Sequence, residues 1–191
     1  HECSSAASDV YKRQPFPYVD ALDIDLFLSA DVKDVKMAIE NNIAAAHIFT
    51  DKYKPSDSKQ LRIGFDADAV IFSDESEVTY KKKGLKTYLK EEGASKKPIS
   101  PGPFNGFLKK LNLIQSEYSA DKCPIRIALV TARAAPAHKR VINTLRKENI
   151  RIDETFFLGG LAKGKFLKGF SADIFFDDLT AVSYTHLRAH E

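Results

Sequence analysis

Apolar positions along this chain fall into short continuous runs, separated by stretches with helical spacing. The runs are Leu61 to Phe65, Ile125 to Val130, Phe156 to Leu158 and Ile174 to Phe176. Each has the length of a strand, and their near-continuous apolar character is that of strands buried on both faces of a parallel sheet. Between them, Phe104 to Tyr118 places Phe104, Phe107, Leu108, Leu111 and Ile114 on one helical face. Further helices are predicted from about Pro136 to Lys147 and over Phe166 to Phe170. Upstream, Asp25 to Leu28 and Ala44 to Phe49 read as strands. They flank a helix from Val32 to Asn42, with Val32, Val35, Met37 and Ile39 at roughly helical spacing and Asp31 as its N-cap. The alternation predicts an α/β fold with a mainly parallel sheet.

The interruptions suggest an organisation. Asp51 to Gln60 is a polar break with Pro55, two serines and three lysines. It separates residues 15–60, read as the end of a preceding and degenerate α/β copy, from a core over 61–182. Within that core, residues 73–102 are polar, lysine-rich and helix-prone in part, and close on Pro98, Pro101, Gly102 and Pro103. They read as an insertion. The ends, HECSSAASDVYKRQ over 1–14 and SYTHLRAHE over 183–191, lack periodicity and resemble translated adapter sequence. Setting them aside removes His1, His186 and His190, so a histidine metal site is not expected.

Composition changes this picture little. The chain has 191 residues, 43% hydrophobic and 29% charged, with a net charge of +3. That describes an ordinary globular domain and does not call for a nucleic-acid polymer as partner. The one basic run, Lys81-Lys82-Lys83, reads as a solvated helix face. Cys3 and Cys123 make no disulfide framework, so a reducing cytoplasm is the expected location. No apolar stretch is long enough to span a membrane. A homo-oligomer is compatible with the composition.

The chemistry gathers at strand ends. Asp66 and Asp68 follow the first core strand, and Thr131-Ala132-Arg133 follow the second. Gly159, Gly160 and Lys163 follow the third, and Asp177 and Asp178 the fourth. In open α/β sheets, ligands bind at these carboxyl ends. Carboxylates without Cys or His partners suit a hard cation such as Mg²⁺, which takes one or two of them plus a substrate phosphate. Asp66 is a candidate nucleophile and Asp68 a candidate general acid or base. Thr131 suits a phosphoryl oxygen, and Lys163 suits its developing charge, in competition with Lys165 and Lys168. Arg133 has two readings, phosphate or a pair with Glu154. The acid pairs also have bland readings, as strand-end turns or a helix N-cap.

These residues carry a resemblance. DxDx[VT] over Asp66 to Val70, Thr131 at a strand end, a downstream lysine and a final acid pair resemble the four motifs of haloacid dehalogenase-like phosphatases. More closely, IGFDADAVIFSDESE, GPFNGFLKKL, CPIRIALVTARAA, TLRKENIRIDETFFLGG and DIFFDD look like the cytosolic 5′-nucleotidase I family, over roughly residues 19–182. The resemblance implies a Rossmann-like three-layer domain, with a small cap formed by the insertion after the first motif. It implies a cytosolic, Mg²⁺-dependent enzyme that hydrolyses nucleoside 5′-monophosphates, AMP prominent, through an aspartyl phosphate. By this carry-over Asp66 is nucleophile and metal ligand. Asp68 protonates the leaving oxygen and offers its backbone carbonyl to the metal. Thr131, Ala132, Arg133 and Lys163 form the phosphate-binding set, and Asp177 or Asp178 completes the metal site. The family's usual Gly between the two aspartates is Ala67 here. Two alternatives remain beside this reading: a phosphatase of the same fold for another small monoester, and a truncated nucleotide-binding module without catalysis.

Overall fold

The computed structural model describes residues 24–41, 43–47 and 59–177. The two terminal segments, most of the polar break and Asp178 lie outside the described residues. The chain divides into two compact units, His1–His47 and Ile48–Glu191.

The first unit is a strand–helix–strand element. β1 (Phe27–Ser29) pairs in parallel with β2 (Ala45–His47), and α1 (Val32–Glu40) connects them. Asp31 caps α1, its carboxylate accepting the Lys33 N–H at 2.8 Å. The buried stripe of the helix is narrower than its apolar spacing suggests. Val35 and Ala38 are buried, whereas Val32, Met37 and Ile39 are exposed. Val35 and Ala38 pack with Ile43 and Ala45, and a two-stranded sheet covers no more than such a stripe.

The second unit holds a four-stranded parallel sheet in the order β5-β4-β3-β6. The strands are β3 (Leu61–Phe65), β4 (Ile125–Thr131), β5 (Glu154–Phe157) and β6 (Ile174–Phe176). Side chains alternate across a strand, so the sheet has two apolar faces. On one, Ala128, Val130 and Phe175 pack against Leu167 and Phe170 of α5 (Gly164–Phe170). On the other, Phe65 stacks on Phe176 at 5.2 Å between ring centres, and Phe104 and Phe107 close over them. Phe107 lies in the first turn of α3 (Asn105–Ser116). Helices on both faces give the three layers. α4 (His138–Lys147) follows β4.

One helical face differs from its expectation. In α3 the buried positions are Asn105, Leu108, Leu111 and Gln115, and Ile114 is 42% exposed. Gln115 takes the inward place because its amide donates to Asp153 Oδ2 at 2.8 Å, and the same oxygen accepts the Ile127 N–H. A buried amide is tolerated where its donors are satisfied.

The insertion forms α2 (Glu75–Ala94), two helical stretches meeting at Gly84, whose φ of 76° breaks the helix. Its two ends are stitched together. Ser73 N donates to Ser100 O, Gly102 N to Ile71 O and Phe104 N to Val70 O, all within 3.0 Å. Gly102 is required at this closure: a Cβ there would lie 2.4 Å from Phe72 O and 2.5 Å from Val70 O. Backbone atoms cannot step aside as a side-chain tip can. Gly102→Ala is therefore expected to destabilise the fold by about 1–3 kcal/mol, read as a lowered midpoint in chemical denaturation. An unchanged midpoint would show that the two strands of this closure separate freely.

Candidate active site

The position of the site follows from strand order. From β3 the chain runs outward to β4 and β5, then returns to place β6 on the other side of β3. Such a reversal leaves a crevice at the carboxyl ends of β3 and β6. Phe65 and Phe176 are in register, so Asp66 and Asp177 emerge side by side, and Asp66 N donates to Phe176 O at 2.8 Å.

Lys163, immediately before α5, reaches into this crevice. Its Nζ lies 2.7 Å from Asp66 Oδ2 and 3.1 Å from Asp177 Oδ2. Lys165 and Lys168, its competitors in the sequence, are both exposed. Asp66 Oδ1 accepts the Ala67 N–H at 2.7 Å. Burial opposes the Lys163 charge, but the carboxylates of Asp66 and Asp177 outweigh it and raise its pKa.

Asp66 is 8% exposed. Its pKa is pushed up to about 7 from 3.8, chiefly by burial; Lys163 opposes the rise and the Asp177 charge adds to it. The folded protein thus keeps a proton on Asp66 over a range in which the unfolded chain has lost it. Stability from this group falls as pH rises from about 4 to about 7. A cation bound at Asp66 and Asp177 would favour their ionised forms and remove much of that slope. Denaturant melts across this pH range, with and without Mg²⁺, are expected to show the stability gap widening toward pH 7. A gap independent of pH would contradict the assignment.

Ala67 fits where the resembling family has Gly. It is fully buried, and the left-handed backbone falls two residues later, at Ala69 with φ 59°. That conformation costs roughly 1–2 kcal/mol for a residue with a Cβ. It turns the chain directly after Asp68.

Thr131 ends β4 and is buried, its hydroxyl oxygen accepting the Arg133 N–H at 3.2 Å. A hydroxyl that accepts in this way still has its own proton to donate. Ala132 beside it is exposed.

Arg133 meets neither Glu154 nor open crevice. Glu154 pairs with Arg126 at 2.7 Å, because β5 sets it opposite Ala128, well short of the end of β4. Arg133 instead grips Asp68 with two nitrogens, Nε to Oδ2 at 2.9 Å and Nη2 to Oδ1 at 2.5 Å. Its third nitrogen, Nη1, donates to Glu92 Oε2 at 2.6 Å. Burial opposes its charge, yet Asp68 and Glu92 hold its pKa above the ordinary value. Glu92 Oε1 in turn accepts from Arg140 Nη1 at 2.6 Å and from Ser76 Oγ at 3.0 Å. Arg140 reaches on to Glu75. Tyr88 of α2 lies in the field of this ladder. Burial, with the Asp68 and Glu92 charges, pushes its pKa up to about 12 against the opposing arginines. Sequence reasoning missed Glu92, Arg140 and Tyr88, because a polar side chain on a largely polar helix carries no mark of burial.

A family model described as 5′-nucleotidase matches residues 9–189. The chain belongs to the 5′-nucleotidase family. It is 40% identical over 173 residues to human cytosolic 5′-nucleotidase 1B, a similarity that covers 87% of this chain and agrees with the type I resemblance. The chain spans 28% of the length of that relative. No solved structure matches it.

For a member of this family, the donor set bears on a divalent cation. Among the described residues, no three His, Cys, Asp or Glu side chains gather as a ready-made metal cluster. Two carboxylates on adjacent strands nevertheless converge on one ammonium, and burial raises the pKa of Asp66 to about 7 despite that ammonium. Two carboxylates that share a single ammonium fit a hard ion that takes its remaining ligands from water and substrate. No helix among the described residues is long and apolar enough to cross a membrane.

Proposed function

We propose that this chain carries the catalytic edge of a cytosolic, Mg²⁺-dependent enzyme hydrolysing nucleoside 5′-monophosphates, AMP among them. The observation that carries the reading is the meeting of Asp66, Lys163 and Asp177 where strand order reverses. Asp66 and Asp177, with Asp178 and the Asp68 carbonyl, would hold the Mg²⁺, which when bound neutralises phosphoryl charge.

The chain's own groups divide the work. A carboxylate oxygen of Asp66 attacks phosphorus, and the bond to the ribose 5′ oxygen breaks with its electron pair. Asp68 gives its proton to that oxygen, and the nucleoside leaves. Water then attacks the phosphoaspartate and passes a proton to Asp68, and the phosphorus–aspartate bond breaks. Phosphate departs, and both carboxyl groups return to their starting states. The Thr131 hydroxyl and the Lys163 ammonium hold the phosphoryl oxygens throughout, as fixed donors that need no reorganisation. Arg133, whose nitrogens are taken by Asp68 and Glu92, is not counted among those donors.

The test is phosphate release from a panel of nucleoside monophosphates and sugar phosphates by the full-length protein, with Mg²⁺ or with chelator. Mg²⁺-dependent hydrolysis of nucleoside monophosphates is expected. Faster hydrolysis of a sugar phosphate would move the substrate to another monoester. Nucleotide binding without turnover would leave a binding module.

A further inference from the structure

The ladder of charges running from Asp68 into residues 73–102 has, beyond Asp68 itself, no part in the chemistry above. It comprises Asp68, Arg133, Glu92, Arg140 and Glu75, each linked to the next at 2.5–2.6 Å. Burial is graded along it. The side chains of Arg133 and Glu92 are 2% and 4% exposed, whereas the ends, Asp68 and Glu75, are 22% and 36% exposed. Buried ion pairs of this kind are weak sources of stability, since apolar side chains of the same volume do as well or better. What they do fix is geometry. A guanidinium fork that grips both oxygens of a carboxylate sets the plane of that carboxylate, which a lysine cannot do. Arg133 grips Asp68 in this way, and Glu92 holds the remaining nitrogen of Arg133 from the opposite side. Glu92 is held in turn by Arg140 and by Ser76. Ser76 and Glu92 both belong to α2, so the insertion itself clamps the far end of the arginine.

We propose that Arg133 and Glu92 are positioning residues for Asp68, aiming its carboxyl group at the leaving oxygen and tying that aim to the insertion helix α2. The proposal rests on the reading of Asp68 as the group that protonates the leaving nucleoside. It assigns no contact between Arg133 or Glu92 and substrate. A carboxyl group held by Arg133 along one edge has its plane fixed and can carry a proton only on the outward side of its oxygens, and loss of the clamp lets it rotate. Misaimed catalytic groups cost up to about 10²-fold in rate.

Leaving-group dependence separates positioning from simple structural support. A ribose alkoxide leaves poorly and needs the proton from Asp68. A p-nitrophenolate leaves unaided near neutral pH. The measurement is therefore the first turnover, followed by rapid quench, with AMP and with p-nitrophenyl phosphate as the two probes, on the full-length protein with Mg²⁺. Glu92→Gln and Arg133→Lys are expected to slow nucleoside release about tenfold to 10²-fold. The nitrophenolate burst is expected to keep its rate within about twofold, as it does not depend on general-acid help. In an Asp68→Asn background, Glu92→Gln is expected to add no further loss with AMP, since the group it positions is gone. Should Glu92→Gln fail to fold, by circular dichroism, Arg133→Lys carries the same comparison with the buried charge retained. Equal slowing of both probes, or an additive loss in the Asp68→Asn background, overturns the proposal. If Asp68→Asn itself slows both probes alike, the reading of Asp68 as the acid falls, and this proposal with it. If Asp68→Asn discriminates between the probes and the two positioning variants do not, this proposal alone falls.

Discussion

Asp66→Asn is expected to remove essentially all turnover while leaving the protein folded. The substitution keeps the shape of the side chain and its bond from Ala67 N, and removes the oxygen charge that attacks phosphorus. It also relieves a buried carboxylate whose ionisation is opposed by burial and by Asp177, so stability at pH 8 should hold or rise. Asp68→Asn should behave differently. It removes proton transfer and spares the nucleophile, and general acid–base groups contribute about 10²–10⁴-fold. Slow turnover, or a phosphoenzyme that accumulates and can be trapped, is the expected signature there. The pair is read by phosphate release and by mass spectrometry of the quenched protein. Substantial turnover by Asp66→Asn would assign the attack to water, and the aspartyl-phosphate route would be abandoned.

Lys163→Met is expected to have the second-largest effect, on stability and turnover together. The Lys163 ammonium lies between Asp66 and Asp177, at 2.7 and 3.1 Å. Methionine fills similar volume and leaves two largely buried carboxylates facing each other. Breaking a buried pair on one side costs about 3–5 kcal/mol where the remaining charge persists. Here the cost depends on pH. Without the ammonium, the pKa of Asp66 rises further above its present value of about 7. At pH 5 the group is protonated with or without Lys163 and the loss is small, whereas toward pH 8 the folded variant must either hold that proton or ionise Asp66 beside Asp177, and the loss is largest. Melts at the two pH values should therefore diverge in the variant. Turnover should fall by about 10²–10³-fold, as for the loss of a preorganised donor to developing charge. An equal stability loss at pH 5 and pH 8 would show that Lys163 acts through packing alone.

The sequence by itself determined that the strands exist and, for two of them, where they stop; β5 begins two residues before the expected Phe156 and ends one before the expected Leu158. β3 and β6 begin and end where the apolar runs do, and Asp31 caps α1 as its position implies. These features are local: a run of buried side chains, or a carboxylate two residues from a free N–H, is decided by near neighbours. Strand ends then bring Asp66, Lys163 and Asp177 to one edge, because a parallel sheet collects the carboxyl ends of its strands on one side. Residues 73–102 were also legible as polar and partly helical, and hold α2. What only the tertiary structure decided was which charge meets which. Arg133 finds Asp68 across 65 residues and Glu92 across 41, and Glu92 finds Arg140 across 48. The neighbours Glu91 and Glu92 are the same residue type, yet Glu91 pairs with Lys83 on the surface and Glu92 is buried between two arginines. Gln115 displaces Ile114 from the core of α3 for the same kind of reason. Burying a charged or amide group is unfavourable until its partners are in place, and those partners arrive only when distant segments pack.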